Sequence, residues 1–442
     1  MPGARRIQSE TRGGRAWLEE PLDWRAARIP ATVARLANGL TVVAHCDRKA
    51  SVVAVEVVYR AGSREEPAGK SGLAHICEHL MYSGTTSVPG SYFRPFERAG
   101  AVYINARVTE DYSAYFATVP VGALDFALWM EADRMGNLPA AMTSTKFDLQ
   151  REVVRNELMQ RESEPFGRAP AMIAALTHSA GHPYAHPSNG IFEQLDNITC
   201  ADALEWIHLH HVAADAVLSI SGDIRVEAAI ERAHKYFGSV HTGVAYKAPA
   251  RNRAHHVRAS AISIDAKNCR LYLIWPAPAF AHADYAVVEA ACELLNGKHS
   301  RLWRRICLTE RLASDITIEL HPRQLDSQII LSATPLPGIA PNVIKAAIVD
   351  ELERCGQTLS AVEIDTARVK LFAKLVRTGE RVGGPQGKSD TLAISTVLGG
   401  HPAVYHCHVS TFAALRPRQV GNAIQLYLNR EPAVLEFGES TG

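Results

Sequence analysis

The chain has 442 residues, 47% hydrophobic and 21% charged, with 47 basic residues against 46 acidic ones and a net charge of +1. That length supports two or more packed domains, and the balanced charge excludes nucleic acid as the expected partner. No stretch approaches the roughly 18 apolar residues of a membrane span, so no membrane partner is expected either.

In chain order, Arg5-Arg6 lacks the apolar run of a secretory signal, and residues 1–20 read as a flexible leader. Residues 35–44 carry Asn38-Gly39 between alternating apolar arms, a hairpin signature. Residues 51–59, with Val52, Val53, Val55, Val57 and Val58, read as a strand buried on both faces. A polar loop at 61–72 then leads into Gly72-Leu73-Ala74-His75-Ile76-Cys77-Glu78-His79-Leu80-Met81.

That stretch contains His-x-x-Glu-His, the inverzincin order. On a helix, positions i and i+4 lie on one face, one turn apart. Both imidazoles can therefore grip one metal ion, with Glu78 beside the water that the ion polarises. Two surface histidines on a helix would give the same string, so the rest of the chain has to decide. Cys77 points away from the histidine face and is expected in the core.

The pattern continues with a short helix at 92–99 and two strands across 101–120 around Thr109-Glu110-Asp111. Helices are expected at 124–135, 147–161 and 171–178, then a Pro/Gly turn at 181–187, a strand at 214–221 and a helix at 226–237. Residues 238–260 turn polar and basic, as a linker does. Beyond it come strands at 270–276, 316–320 and 327–333, and helical stretches at 285–295, 301–312, 342–354, 361–378 and 420–428. The order of the first half is expected to recur, without its metal motif. The expected fold is α+β: two similar α/β-sandwich halves, each a mostly antiparallel sheet with helices packed on it. The N-terminal metal-binding half spans 21–240, the linker 241–260 and the C-terminal half 261–442.

Eight cysteines (46, 77, 200, 269, 292, 307, 355 and 407) show no CxxC pairing, which reads as reduced, buried thiols in a cytoplasmic compartment. Catalytic zinc takes three protein ligands and keeps the fourth position for water, so two histidines are not enough. The acidic helix bearing Glu152 and Glu157 is the candidate source of the third. Three other features carry less. His178, His182 and His186 are spaced around a proline turn and share no helix face; His208, His210 and His211 read as core and rim. Gly383-Gly384-Pro385-Gln386-Gly387-Lys388-Ser389 approaches a phosphate loop but lacks its spacing.

The chain resembles the pitrilysin (insulinase-like) family of zinc metallopeptidases, in its single-unit bacterial branch similar to mitochondrial processing peptidase subunits. The resemblance covers nearly the whole chain. It rests on Leu36-Ala37-Asn38-Gly39-Leu40-Thr41, Gly62-Ser63-Arg64-Glu65-Glu66-Pro67, the His75–Met81 motif, Asn105-Ala106, Glu131-Ala132-Asp133-Arg134-Met135, Arg151-Glu152-Val153-Val154-Arg155-Asn156-Glu157, His182-Pro183-Tyr184 and Leu294-Leu295-Asn296-Gly297.

The resemblance implies that His75, His79 and Glu157 bind Zn2+, that Glu78 is the general base, and that Glu152 supports the ligands from behind. It places Asn105 and Ala106 on an edge strand where a peptide substrate adds as an extra β-strand. The implied activity is zinc-dependent endopeptidase action on peptides or unfolded segments, a specific precursor peptide among them. The implied chamber is closed by dimerisation, as a homodimer or a heterodimer with a related chain lacking His-x-x-Glu-His. The alternative is a non-catalytic scaffold subunit of a peptidase-like complex. At the position where active relatives read Leu-Ala-Tyr, this chain has Leu312-Ala313-Ser314, which suggests that another subunit supplies the missing group or that the chain works differently.

Overall fold

The computed structural model describes residues 22–243, 261–265 and 268–438. The leader and residues 244–260 of the linker lie outside them. The first half is built on a six-stranded sheet: β1 (Thr32–Arg35), β2 (Thr41–Cys46), β3 (Val52–Tyr59), β4 (Tyr103–Val108), β5 (Ser113–Pro120) and β6 (Ala216–Gly222). Its order is β1-β2-β6-β3-β5-β4, antiparallel except where β2 runs parallel to β6. Its helices are α1 (Leu73–Leu80), α2 (Phe93–Arg98), α3 (Leu124–Asn137), α4 (Ser144–Ser163), α5 (Ala169–Thr177), α6 (Cys200–His210) and α7 (Val226–Phe237).

The second half repeats the plan with five strands: β7 (Ala261–Asp265), β8 (Arg270–Ala277), β9 (Ala313–His321), β10 (Ser327–Pro335) and β11 (Ala433–Gly438). They run β7-β11-β8-β10-β9, again antiparallel apart from one parallel pair, β7 with β11. Its helices are α8 (Tyr285–Leu295), α9 (Arg301–Trp303), α10 (Pro341–Thr358), α11 (Ala361–Glu380), α12 (Lys388–Gly399), α13 (Ala403–Ala413) and α14 (Pro417–Tyr427). The fold is α+β in two similar halves, as the element order implies.

The valine run of β3 explains the packing of the first sheet. Val53, Val55 and Val57 enter a core shared with Leu73, Ile76 and Leu80 of α1. Val58, on the other face, joins Phe116 and Val217 in a core continuous with Leu392 and Val397 of α12. The first sheet is thus covered on one side by its own helices and on the other by a helix of the second half. Both faces dry the strand, as its composition requires.

Several elements differ from expectation. The helix expected over residues 301–312 runs to Thr309 but widens after α9 into a π-helix, in which the Glu310 N–H donates to the Arg305 carbonyl (2.9 Å). Helices α12 and α13 and strands β7 and β11 were not marked by the sequence pattern at all. The cysteines are unpaired, but Cys46 at the end of β2, Cys269 just before β8 and Cys407 on α13 are exposed rather than in the core. Cys77 is buried, with its thiol toward the Ala203 carbonyl (3.8 Å).

The histidines at the end of α6 are structural. The His210 ring packs on Trp206 at 4.4 Å, and the His211 ring lies 4.5 Å from that of Tyr59. Burial first, then His210 and Arg134, press the His211 pKa down to about 3. A histidine whose folded pKa lies below its ordinary value contributes stability that is complete above pH 6.5 and is lost as pH falls toward the folded value. Urea midpoints are therefore expected to drop as pH is lowered from 6.5 toward 4, and His211→Phe to flatten that slope.

Candidate metal centre

Helix α1 starts at Gly72, whose φ of 110° lies in the region that favours glycine. A Cβ on Gly72 would stand 2.7 Å from the Leu195 Cδ2, with the Gly190 Cα in contact behind it at 3.4 Å. The first turn is capped from upstream: the Glu66 carboxylate accepts the N–H groups of Gly72 (3.1 Å) and Ala74 (2.8 Å). Leu73, Ile76 and Leu80 are buried, which turns the opposite face of the helix, with His75 and His79, toward a cleft.

In that cleft the two imidazole rings lie 5.0 Å apart at 68°. Glu157 comes from α4, which packs along α1. Its Oε2 is 3.4 Å from His75 Nε2 and 3.6 Å from His79 Nε2, and the three donor atoms all lie within 4.8 Å of one another. When its Nε2 is protonated, His75 donates to Glu157; that bond, then the charges of the two histidines, hold the Glu157 carboxyl below its ordinary range against its partial burial.

His75 Nδ1 lies 3.0 Å from the Asn189 carbonyl. A carbonyl can only accept, so Nδ1 carries a proton, and the neutral ring has its Nε2 lone pair free for a metal ion. Two imidazole nitrogens and one carboxylate oxygen, with open cleft in front, match the donor set of a catalytic zinc site. Glu78 lines the same cleft; burial pushes its carboxyl up to about 7, opposed by His75 and by a hydrogen bond from the Val108 backbone.

The cleft holds about 570 Å³ and is lined by Tyr82, Phe93, Asn105, Lys146, Leu149 and Gln150 besides the residues above. Asn105 sits on β4, the last strand of its sheet. Its Oδ1 accepts the N–H of Ala106 (2.9 Å), so that N–H points outward from the sheet edge.

Glu152 is not brought to the cleft. It is half-exposed on another face of α4 and pairs with Arg155 (3.3 Å). Gln150 lies there instead and hydrogen-bonds His79. Sequence reading missed Gln150, although it stands seven residues before Glu157, two helical turns away on the same face. It also missed the Asn189 carbonyl, which no side-chain pattern signals. Ser314 lies on β9, exposed at the far edge of the second sheet, where its hydroxyl donates to the Thr334 carbonyl (3.3 Å). It does not line the cleft.

The turn at 178–186 brings together two of its three histidines. The His178 and His182 rings stack at 4.5 Å, and Asp326 of the second half lies 3.6 Å and 3.9 Å from their Nε2 atoms. This group resembles a second metal cage, but its hydrogen bonds oppose that. His182 Nδ1 accepts the Tyr184 N–H (3.1 Å), which leaves a neutral ring's proton on Nε2, the atom that would have to bind. Asp326 is also held by Arg323 (2.9 Å). The cluster is a hydrogen-bonded joint between the halves.

Among known proteins, the chain matches the family model "Insulinase (Peptidase family M16)" over residues 41–187 and "Peptidase M16 inactive domain" over residues 197–371. It is 27% identical to a protein named zinc protease PqqE from Helicobacter pylori, over 77% of this chain and 78% of that one. It is 26% identical to cytochrome b-c1 complex subunit 1, mitochondrial, from Bos taurus, over 48% of this chain and 44% of that protein. The fold is shared with a solved protease structure from Helicobacter pylori at a TM-score of 0.85 and 24% identity, covering 93% of this chain and all of the other.

Proposed function

We propose, from the premise that this chain belongs to the insulinase family of peptidases, M16, that it is a zinc-dependent endopeptidase acting on peptides or unfolded segments. The observation that carries this reading is the convergence of His75 Nε2, His79 Nε2 and Glu157 Oε2 beside Glu78 in an open cleft. Zinc held by those three residues supplies a polarised water with a pKa near 7 and a Lewis acid for the peptide carbonyl.

The chain's own groups do the rest. Asn189 fixes the His75 tautomer through Nδ1. Glu78, anchored by the Val108 N–H, takes the proton from the attacking water and passes it to the leaving amine. The outward N–H of Ala106 and its neighbours on β4 pair with the extended peptide backbone once the Asn105 amide swings aside. Among the described residues, those lining the cleft all come from the first half of the chain. In this reading the chamber around the substrate is closed by a second chain, either another copy or a related one lacking His-x-x-Glu-His. The unpaired cysteines favour a reducing, cytoplasmic compartment.

A scaffold role is the second reading, favoured by the likeness to a cytochrome b-c1 subunit. Metal content and cleavage separate the two. One zinc per chain is expected by mass spectrometry of metals, lost in Glu157→Ala and retained in His182→Ala. A panel of unstructured peptides is expected to be cut by the zinc-loaded chain and spared after chelation. A zinc-loaded chain that cuts nothing, alone or with a co-purifying partner, would favour the scaffold.

A further inference from the structure

The segment that approaches a phosphate loop in sequence has a different use in the fold. Residues 383–387 and the first turn of α12 lie on the face of the first sheet opposite α1. A Cβ on Gly383 would stand 2.3 Å from Thr118 Oγ1 and 2.6 Å from the Ala54 Cβ, so only glycine fits. The Ser219 hydroxyl donates to the Ser389 carbonyl (3.1 Å), and Lys388 forms a buried ion pair with Asp47.

From this platform two contacts reach the edge strand. Tyr103, Asn105 and Arg107 alternate with core residues along β4 and so share one face of it. Arg107 crosses above Ala114, its small neighbour on β5, and grips both carboxylate oxygens of Asp390, with Nη1 to Oδ2 at 3.3 Å. Asp390 is itself oriented by the Gln386 N–H (2.6 Å), a residue held at a φ of 59°. Burial, with Asp390 alongside, holds the Glu56 carboxyl beneath this pair well above its ordinary range. Two residues before Asn105, the Tyr103 ring stacks on Phe116 at 5.7 Å and lies against Gly384, where a Cβ would stand 3.4 Å from it. Asn105, the cleft residue, sits midway between these two anchors.

We propose that the second half clamps the edge strand that receives the peptide, through Arg107–Asp390 at one end and Tyr103–Gly384 at the other, making Asp390 and Arg107 positioning residues for peptide binding. Strand addition needs several outward backbone groups in one register, and an edge already held there does not have to be ordered by the substrate. A half that carries no metal ligand thereby contributes to the reaction. The inference rests on the peptidase reading for its substrate and on the fold alone for the clamp.

The test uses Asp390→Asn, which keeps shape and removes the charge, and Tyr103→Leu, which leaves the buried ion pair intact should the first variant fold poorly. In a Glu78→Gln background, each is expected to bind a fluorescent unstructured peptide about tenfold more weakly by anisotropy. In the otherwise wild-type chain, KM is expected to rise by a similar factor while kcat and zinc content hold. Hydrogen exchange is expected to quicken across residues 103–108 and stay unchanged in α1. Unaltered affinity and KM in folded, zinc-loaded variants would overturn the clamp. So would unaltered exchange across 103–108, even in a chain that cuts nothing, so the two failures can be told apart.

Discussion

Replacing Glu78 with Gln is expected to leave zinc bound and to lower peptide turnover by about 10²–10⁴-fold, the usual worth of general-base help. The side chain keeps its size and its contact with the Val108 N–H, because the amide oxygen still accepts. What it loses is the capacity to hold a proton. The ligands His75, His79 and Glu157 are untouched, so metal analysis separates this variant from Glu157→Ala, which is inactive through metal loss. Turnover measured by mass spectrometry of cut peptides should fall without a matching rise in KM, since Glu78 acts on the water rather than on the peptide backbone. Retained turnover would show that another group takes the proton.

The second large effect is on stability. Arg134 is 1% exposed and pairs with Glu131, itself 3% exposed. Its guanidinium lies 4.4 Å from the Tyr115 ring centroid, 5.1 Å from Tyr82 and 5.6 Å from Tyr92. Arg134→Met leaves Glu131 buried without its counter-charge, and breaking such a pair costs about 3–5 kcal/mol. The loss should appear in the urea midpoint. Glu131→Leu combined with Arg134→Met removes both charges and is expected to recover most of it, because the desolvation of the pair goes as well. Tyr82 also walls the metal cleft, so the single variant should loosen the site before the chain unfolds.

How much of this was legible in the sequence depended on whether the physical signal was local. The α1 motif and the valine run of β3 carry their partners' chemistry in their own residue order, and both elements form where expected. Helix α12 does not, because Ser389, Leu392, Ala393, Ser395, Thr396 and Val397 are all buried. A helix enclosed on nearly every side shows no amphipathic period, and its threonines and valine lower its propensity. On α4, acidity drew the reading to Glu152. Five residues from Glu157 is about 140° around a helix, whereas seven returns nearly to the same face. Helical phase pointed to Gln150; residue type pointed away from it. The joint of His178, His182 and Asp326 was beyond reach, since its third member comes from the other half.

The Asn105 side chain that covers the Ala106 N–H has a consequence for the chain at rest. An exposed strand edge is a template for any other strand, including the same strand of a neighbouring molecule. An amide that folds back over its own backbone donor occupies the bond that would start such a ladder. On the proposed reading a peptide held beside the metal would displace this short cover, which otherwise deters casual self-pairing. An edge proposed to accept foreign strands would thereby be kept from aggregating through them.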